Sequence, residues 1–496
     1  MSPPPSRIAR RTAIALGAAI LVAYIGYVGA AWYFLSTGRL KALVNRAPDR
    51  TAIDYRSASS FWPGRARVRN LQLRDRDSKA EWAFELEDAR ISFSVVGLLR
   101  RRLHVTSLSG NGSTFHARNR LTAAQAADRS RVDRLPPITG FPDPPLLTPG
   151  QGKTPPTGRE WAIRVDDLEV VRLRELWVDE YRYIGDGRLT GAFLLQPKVH
   201  AQIFRAQLTT EGGTLRAGDS LAEGVQATIR GKVEPWDPRE FPGSRMLRFI
   251  TGEVRATARL PDMDLVNRLV GDLAGTRLET GGGILAVAGT VARGVARGSV
   301  DLSAPKVALR IVDVGFRGRL EARANFSGLD LLKEGAILTG GHVNLTDATV
   351  SGAGPGARAW WMKATFLPGR LLPRPGVLLT GTVALRASDG RPFLALVKGK
   401  LPGWLAKRFD LEGLSGRAGL RLGEAFVDVE RLAARSGKYR VDGEYHARGA
   451  ARRGTFLVDA GLLSVGIGID GGKSELDVLG ARRWFRERTG WEAPKD

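Results

Sequence analysis

The chain has no cysteine, and histidine accounts for only five of its 496 residues. Without cysteine, disulfide frameworks, thiol catalysis, cysteine-ligated zinc sites and iron–sulfur clusters are excluded. The histidines occur singly, at His104, His116, His200, His342 and His446. None belongs to a recognisable nucleophile motif, and no G-x-S-x-G sequence is present. These absences predict a protein that is not an enzyme and has no catalytic residue, no metal site and no cofactor.

Acidic residues cluster at 166–169, at 179–180 and at Asp262 with Asp264. Paired carboxylates can serve glycoside hydrolysis or calcium binding, but no further ligands or matched second pair accompany these. Such clusters are typical of solvated turns. An enzyme that acts on envelope glycans through the 166–180 region is therefore a weaker hypothesis than the two non-enzymatic functions given at the end of this section. The G-x-G-x-x-G match at 466–471 also predicts a turn, because residues 472–496 are too few for a dinucleotide-binding unit.

Basic residues outnumber acidic ones by 75 to 51, which gives a net charge of +24. Such an excess favours an anionic partner, either nucleic acid or membrane headgroups. Apolar residues make up 43% of the chain, so it is foldable rather than disordered.

Residues 13–35 form a stretch of 23 residues without charge. As a helix they would span about 35 Å, enough for a hydrocarbon core of about 30 Å. Trp32, Tyr33 and Phe34 lie at its far end, where aromatic rings favour the membrane interface. We predict a retained transmembrane anchor, rather than a cleaved signal peptide, with residues 1–12 as a cytoplasmic tail and the body outside. This topology makes nucleic acid an unsuitable partner.

The body of the chain alternates apolar and polar residues, as in 254–260 and 320–326, and glycine-rich turns separate these runs. The pattern predicts antiparallel strands with one dry and one wet face. We divide the body into a β-rich subdomain at 36–133, an elongated sheet at 159–473 and a C-terminal helical tail at 474–496 with Ser474 as its N-cap. Eight prolines in 134–158 predict an exposed loop or linker between the β-rich subdomain and the elongated sheet.

Three segments, in this order behind the anchor, resemble the AsmA-like family (AsmA/TamB-type Gram-negative envelope proteins). Residues 64–75 (GRARVRNLQLRD) resemble the family's early strand, and 91–110 resemble its strand, short helix and strand ending in glycine. An amphipathic helix near Asp262 then precedes glycine-punctuated strands from Gly281 to Gly352. The resemblance covers most of the chain.

The resemblance implies a mainly β fold, with the N-terminal transmembrane helix followed by an elongated, curled antiparallel β-sheet trough and a few short helices. It also implies a single-pass protein of the inner membrane, with most of the chain in the periplasm. Its function would be lipid transport between membranes or outer-membrane assembly, with phospholipid or another acyl lipid, the inner membrane and an outer-membrane protein as partners. Candidate groove residues are Val225, Ala227, Ile229, Val254, Leu260, Leu320, Phe326, Val343 and Leu345. The alternative function is an anchored structural scaffold without a lipid cavity.

Overall fold

The computed structural model describes most of the chain. The described residues are 7–45, 52–99, 102–147, 162–196, 200–237, 240–270, 276–311, 314–330, 335–351, 359–372, 378–396, 412–423, 426–448, 451–461, 463–471 and 473–493. They confirm the prediction of a mainly β protein with antiparallel strands and a few short helices.

Eight α-helices and one 3₁₀ helix lie within the described residues. The α-helices are α1 (Arg7–Ser36), α2 (Arg39–Val44), α3 (Val95–Leu99), α4 (Ala123–Ala126), α5 (Arg129–Val132), α6 (Asp264–Val270), α7 (Arg391–Leu396) and α8 (Ala481–Thr489), and the 3₁₀ helix is Gly243–Phe249. None of the helices, over the residues that the structure describes, is long and apolar enough to cross a membrane. Parts of the predicted anchor, the side chains of residues 13, 14, 17 and 20, lie outside the described residues.

Twenty-four strands make up the rest of the regular structure in the described part of the chain. They are β1 (Ala52–Asp54), β2 (Ser57–Ser59), β3 (Arg65–Arg76), β4 (Ala80–Phe93), β5 (Arg102–Asn119), β6 (Ala162–Val178), β7 (Tyr181–Ile184), β8 (Gly187–Gln196), β9 (His200–Glu211), β10 (Thr214–Ala217), β11 (Asp219–Trp236), β12 (Ile250–Leu260), β13 (Thr276–Ala292), β14 (Val295–Ile311), β15 (Val314–Asp330), β16 (Gly335–Ser351), β17 (Trp360–Leu372), β18 (Leu378–Asp389), β19 (Glu412–Gly423), β20 (Phe426–Ser436), β21 (Tyr439–Arg448), β22 (Ala451–Ala460), β23 (Leu463–Asp470) and β24 (Lys473–Asp477).

The chain divides into two compact units. Unit 1 comprises Met1–Asp219 and Ala227–Thr251, and unit 2 comprises Ser220–Gln226 and Gly252–Asp496. In unit 2 each strand from β12 to β24 pairs antiparallel with the next one in the sequence. The short glycine-containing connections that the sequence shows are what such hairpins require.

Unit 1 contains an exception to the predicted antiparallel order, because β5 and β6 pair in parallel. A parallel pair needs a long crossover connection, and the proline-rich segment lies in that connection. Its described part, through Leu147, packs against the sheet instead of forming the exposed linker that we predicted. Leu135, Ile138 and Phe141 are buried, and the Arg118 guanidinium of β5 donates hydrogen bonds to backbone carbonyls of this segment. The backbone carbonyls of Pro136 and Pro142 therefore accept hydrogen bonds from an arginine side chain rather than from a neighbouring strand.

The C-terminal helix begins later than the sequence predicts. Residues 473–477, including the expected N-cap Ser474, form strand β24, which pairs with β23 across the turn at Gly471. Backbone pairing to β23 satisfies the donors that a helix cap would have served, and Asp477 accepts from the Gly480 amide just before α8. The G-x-G-x-x-G match at 466–471 does not form the predicted turn, because its residues through Asp470 belong to strand β23. Gly466 makes room for α8, since a Cβ there would lie 2.6 Å from the Trp484 ring.

Candidate functional site

One face of unit 2 is apolar along its length. Each residue of the following row is paired in register with the next one, so all of them point to the same side of the sheet. This outer row consists of Val254, Gly289, Gly298, Phe326, Leu338, Gly369, Gly381, Leu420, Val429, Tyr445, Gly454 and Ile469. It crosses β12 to β23 and, at about 4.8 Å per strand, follows a path of about 50 Å.

A second row runs beside the first, four residues further along β12 and on the same face. This inner row consists of Ala258, Leu285, Leu302, Ala322, Val343, Ala364, Leu385, Gly416, Ala434, Val441, Val458 and Val465. The two rows contain one polar atom among their side chains, the Tyr445 hydroxyl, and no charge. On the opposite face, residues such as Asp301, Arg323 and His342 are paired in register. We call the side that carries the two rows the apolar face.

The apolar face is buried at the end of the strands next to α6 and α7 and only half-buried at the opposite end of the strands. At the end next to α6 and α7 the face is closed, and Leu260, Leu320, Leu345 and Trp360 are nearly inaccessible. Trp360 contacts the rings of Phe316 and of Phe393 in α7, at centroid distances of 5.2 and 6.0 Å. At the other end, the outer row is half-buried from β12 to β21. At the end of the strands away from α6 and α7, the outer row is therefore partly accessible on ten strands, with glycine at four of these positions and a large apolar side chain at the other six.

The last strands close the apolar face. Tyr439, Phe456, Val458, Val465, Ile467 and Ile469 form a buried cluster on β21 to β23. Leu432, Val441, Tyr445 and Ala460 pack against it. The accessible part of the outer row thus ends near β21.

Glycines in the outer row leave a depression in the sheet. Gly289 and Gly298 face one another across β13 and β14, and Val254 and Phe326 continue the row on either side. The depression has a volume of about 460 Å³, and Arg255 and Arg297 also contribute to its lining. A Cβ at Gly298 would lie 2.2 Å from a backbone oxygen, so this position requires glycine.

Six of the nine predicted groove residues share the apolar face. Val254 and Phe326 belong to the outer row and Val343 to the inner row, while the others lie at the closed end. These other residues are Leu260, Leu320 and Leu345. The remaining three, Val225, Ala227 and Ile229, lie on β11, where the division between the two units falls, and are outside the apolar face as defined here.

Trp32, Tyr33 and Phe34 lie on the last turn of α1 with exposed rings. The same helix presents exposed apolar side chains at Leu21 and Val22. These positions stay a predicted membrane interface.

Acidic residues of the 166–180 region are separated, and each has its own partner: Asp166 pairs with cations, whereas Asp179 accepts hydrogen bonds from Asn119. Asp166 contacts His104 and Arg164, which lower the pKa of the Asp166 carboxyl, with Arg164 the larger cause. Asp179 follows the far end of β6, and 13 residues of extended strand span about 40 Å. The two carboxyl groups are therefore too far apart for the separations of 5 to about 9.5 Å that glycosidases use. No group of three or more histidine, aspartate or glutamate residues suited to a metal occurs in the part of the chain that the structure describes.

One buried carboxyl lies on the opposite face, beneath α8. Burial raises the pKa of Asp442, and a hydrogen bond from Arg440 Nε at 2.8 Å opposes that shift. Asp459, which lies close to Asp442 and is also buried, accepts a hydrogen bond from Arg482 of α8 at 2.7 Å. These groups hold α8 on the sheet, so their role is structural.

The glycines of the outer row and the aromatic cluster at Trp360 were not among the candidates from the sequence. Glycine at 60 of 496 residues was visible, but only the strand register shows that Gly289, Gly298, Gly369 and Gly381 lie on one line. No protein-family model, no curated protein and no solved structure matches this chain.

Proposed function

We propose that this protein is a non-enzymatic lipid carrier, in which the apolar face of unit 2 binds the acyl chains of phospholipids. The observation that carries the proposal is the pair of uncharged rows across twelve strands, with the outer row accessible over ten of them. Apolar surface that stays partly accessible along a sheet is typical of a binding site for an apolar ligand or a partner.

Acyl chains suit this surface for a simple energetic reason. Each methylene removed from water contributes about 0.8 kcal/mol. Pairs of glycines separate pairs of larger apolar side chains along the outer row, which gives acyl chains a series of shallow depressions. Because the row has no charged residue, no position along it requires an acyl chain to desolvate a charge. Lipid would move passively along the outer row, with its headgroup in water beyond the ends of the strands that lie away from α6 and α7.

The N-terminal segment supplies the donor membrane in this proposal. Residues 13–35 anchor the chain in the inner membrane, Trp32 to Phe34 lie at the interface, and the body is periplasmic. An outer-membrane protein would receive the lipid. These features, together with the resemblance at 64–75 and 91–110, favour an AsmA-like protein of lipid transport or outer-membrane assembly.

The second candidate is an anchored scaffold whose apolar face serves only as a core. The buried cluster of β21 to β23 and the closed end around Trp360 favour it, because both resemble an ordinary protein interior. The half-buried outer row from β12 to β21 distinguishes the two candidates, since a scaffold has no use for accessible apolar side chains there.

Replacing Phe326 by aspartate tests the lipid-carrier proposal. Its ring lies in the middle of the accessible outer row, and a carboxylate there must be desolvated whenever an acyl chain covers it. We expect phospholipid retained by the full-length protein after detergent purification, quantified by mass spectrometry, to fall about tenfold, the factor that about 1.4 kcal/mol produces.

Asn325→Asp is the matched control for this experiment, because Asn325 is the neighbouring residue on the same strand and points to the opposite face. Both variants carry the same anchor and the same added charge, so lipid bound around the anchor contributes equally. Equal phospholipid retention in wild type, Phe326→Asp and Asn325→Asp would favour the scaffold.

A further inference from the structure

Four large apolar side chains are exposed at one end of the β3–β4 hairpin in unit 1. Phe61 and Trp62 are 65% and 64% exposed in the turn before β3, and Val95 and Val96 are 42% and 61% exposed at the start of α3. The turn lies against α3, since a Cβ at Gly64 would be 3.9 Å from Val95 Cγ2. We call Phe61, Trp62, Val95 and Val96 the apolar tip.

The apolar tip is held against helix α1. The Trp62 ring lies 5.7 Å from the Tyr24 ring, and the Tyr27 hydroxyl donates to the Trp62 carbonyl at 3.1 Å. The same hydroxyl lies 2.5 Å from Ser60 Oγ. Val22 and Ile25 are exposed on the same helix, so both the tip and α1 carry accessible apolar side chains.

The surroundings of the tip are cationic. The sequence has no acidic residue in 55–74 or in 89–127, whereas both segments contain several arginines. Arg65 and Arg90 are exposed at the same end of the hairpin, and Arg67, which pairs in register with Arg90, forms an ion pair with Asp88. A surface of this charge next to apolar side chains is complementary to an anionic lipid leaflet, where each nearby cation contributes about 1 kcal/mol.

The backbone of the turn makes its own hydrogen bonds. The Arg65 amide donates to the Trp62 carbonyl at 3.0 Å, and the Phe93 amide donates to the Gly64 carbonyl at 2.7 Å. Ser60 Oγ donates to the Arg65 carbonyl at 2.5 Å. Because unpaired backbone groups are costly in lipid, these bonds lower the cost of placing the turn among headgroups and acyl chains.

We propose that the apolar tip inserts into the membrane leaflet beside α1, as a second membrane contact of unit 1. The inference rests on the proposed anchor. Tyr27 lies six residues before the interfacial Tyr33, so at 1.5 Å per residue the Trp62 carbonyl to which it donates would lie about 9 Å below the interface. That depth is within the 5–10 Å range at which interfacial apolar side chains are buried. The tip would then disturb lipid packing where the protein meets its donor membrane.

The absence of cysteine makes a direct test possible, because one introduced cysteine carries the only label. We would reconstitute full-length Phe61→Cys and Val96→Cys, each labelled with an environment-sensitive fluorophore, in vesicles of phosphatidylethanolamine and phosphatidylglycerol. We expect blue-shifted emission from both, and loss of most of the emission when the lipids carry bromine on their acyl chains.

Two further labelled variants make the result decisive. Val178→Cys places the label on an exposed apolar residue at the other end of the unit 1 strands, about 33 Å away, and should show no quenching. Val22→Cys reports on the anchor. Quenching at Val22 without quenching at Phe61 and Val96 would contradict insertion of the tip and still support the membrane anchor. No quenching at any of the positions would contradict both the membrane anchor and insertion of the tip. Quenching at Val178 equal to that at Phe61 and Val96 would show that the tip is not a specific membrane contact.

Discussion

Replacing Trp360 by alanine is expected to lower the free energy of unfolding of unit 2 by about 3–5 kcal/mol. The Trp360 side chain is 1% exposed and closes the apolar face at the α7 end of the strands. Its Nε1 donates to the Asp389 carbonyl at 2.9 Å, and its ring contacts Phe316 and Phe393. Removing it leaves a cavity and an unsatisfied carbonyl, and it releases α7 from the sheet. Chemical denaturation followed by circular dichroism measures the change.

Trp361→Ala is the control for this prediction. Trp361 is the next residue on β17, is 42% exposed and points to the opposite face. We expect it to cost less than about 1 kcal/mol, because little apolar surface is lost from a packed site. Similar losses in the two variants would contradict the assignment of Trp360 as the residue that closes the apolar face.

Replacing Arg118 by methionine should destabilise unit 1 by about 3–5 kcal/mol. Arg118 and Glu81 are both almost completely buried, and their charged groups lie 2.9 Å apart. Arg118 also pairs with Asp143 and donates to the Pro136 and Pro142 carbonyls. Without the guanidinium, the buried Glu81 carboxylate and the carbonyls of Pro136 and Pro142 in the crossover lose their strongest partner. Denaturant titration of the variant and the wild type gives the difference.

Arg67→Met provides the comparison, since the Arg67–Asp88 pair has a similar distance of 2.9 Å but is largely exposed. Exposed pairs contribute about 0–1 kcal/mol, so this variant should remain close to wild type. Adding Glu81→Leu to Arg118→Met should recover part of the loss, because it removes a buried carboxylate that has lost its closest partner and keeps only Arg76 and Arg120 at 3.9 and 3.8 Å. No recovery, or equal effects at Arg118 and Arg67, would show that Arg118 does not secure the crossover.

The strands and the orientation of their side chains could be predicted from the sequence, because a period of two is a local property. Val254, Phe326 and Val343 were placed on the dry face by alternation alone, and the structure shows them on one face. What alternation cannot supply is register, which depends on pairs far apart in the sequence. The line of glycines at Gly289 and Gly298 follows only from that pairing.

Three other features lay beyond local patterns for identifiable reasons. Prolines at 134–158 predicted an exposed linker, but a buried arginine supplies donors to that segment and lets it pack. Ser474 has the composition of a helix cap, yet pairing with β23 satisfies the backbone first. The apolar tip joins two segments about thirty residues apart, Phe61–Trp62 and Val95–Val96, which only the β3–β4 pairing brings together.

The central claim is that acyl chains lie on one face of unit 2, and photocrosslinking along β15 tests it most directly. A photoreactive amino acid would be placed in turn at Arg323, Ala324, Asn325 and Phe326 of the full-length protein in its native membrane. Successive residues of a strand point to opposite faces, so only Ala324 and Phe326 lie on the apolar face. Our account predicts crosslinks to phospholipid at Ala324 and Phe326 and none at Arg323 and Asn325. Crosslinks of equal yield at all four positions, or none at Ala324 and Phe326, would contradict it.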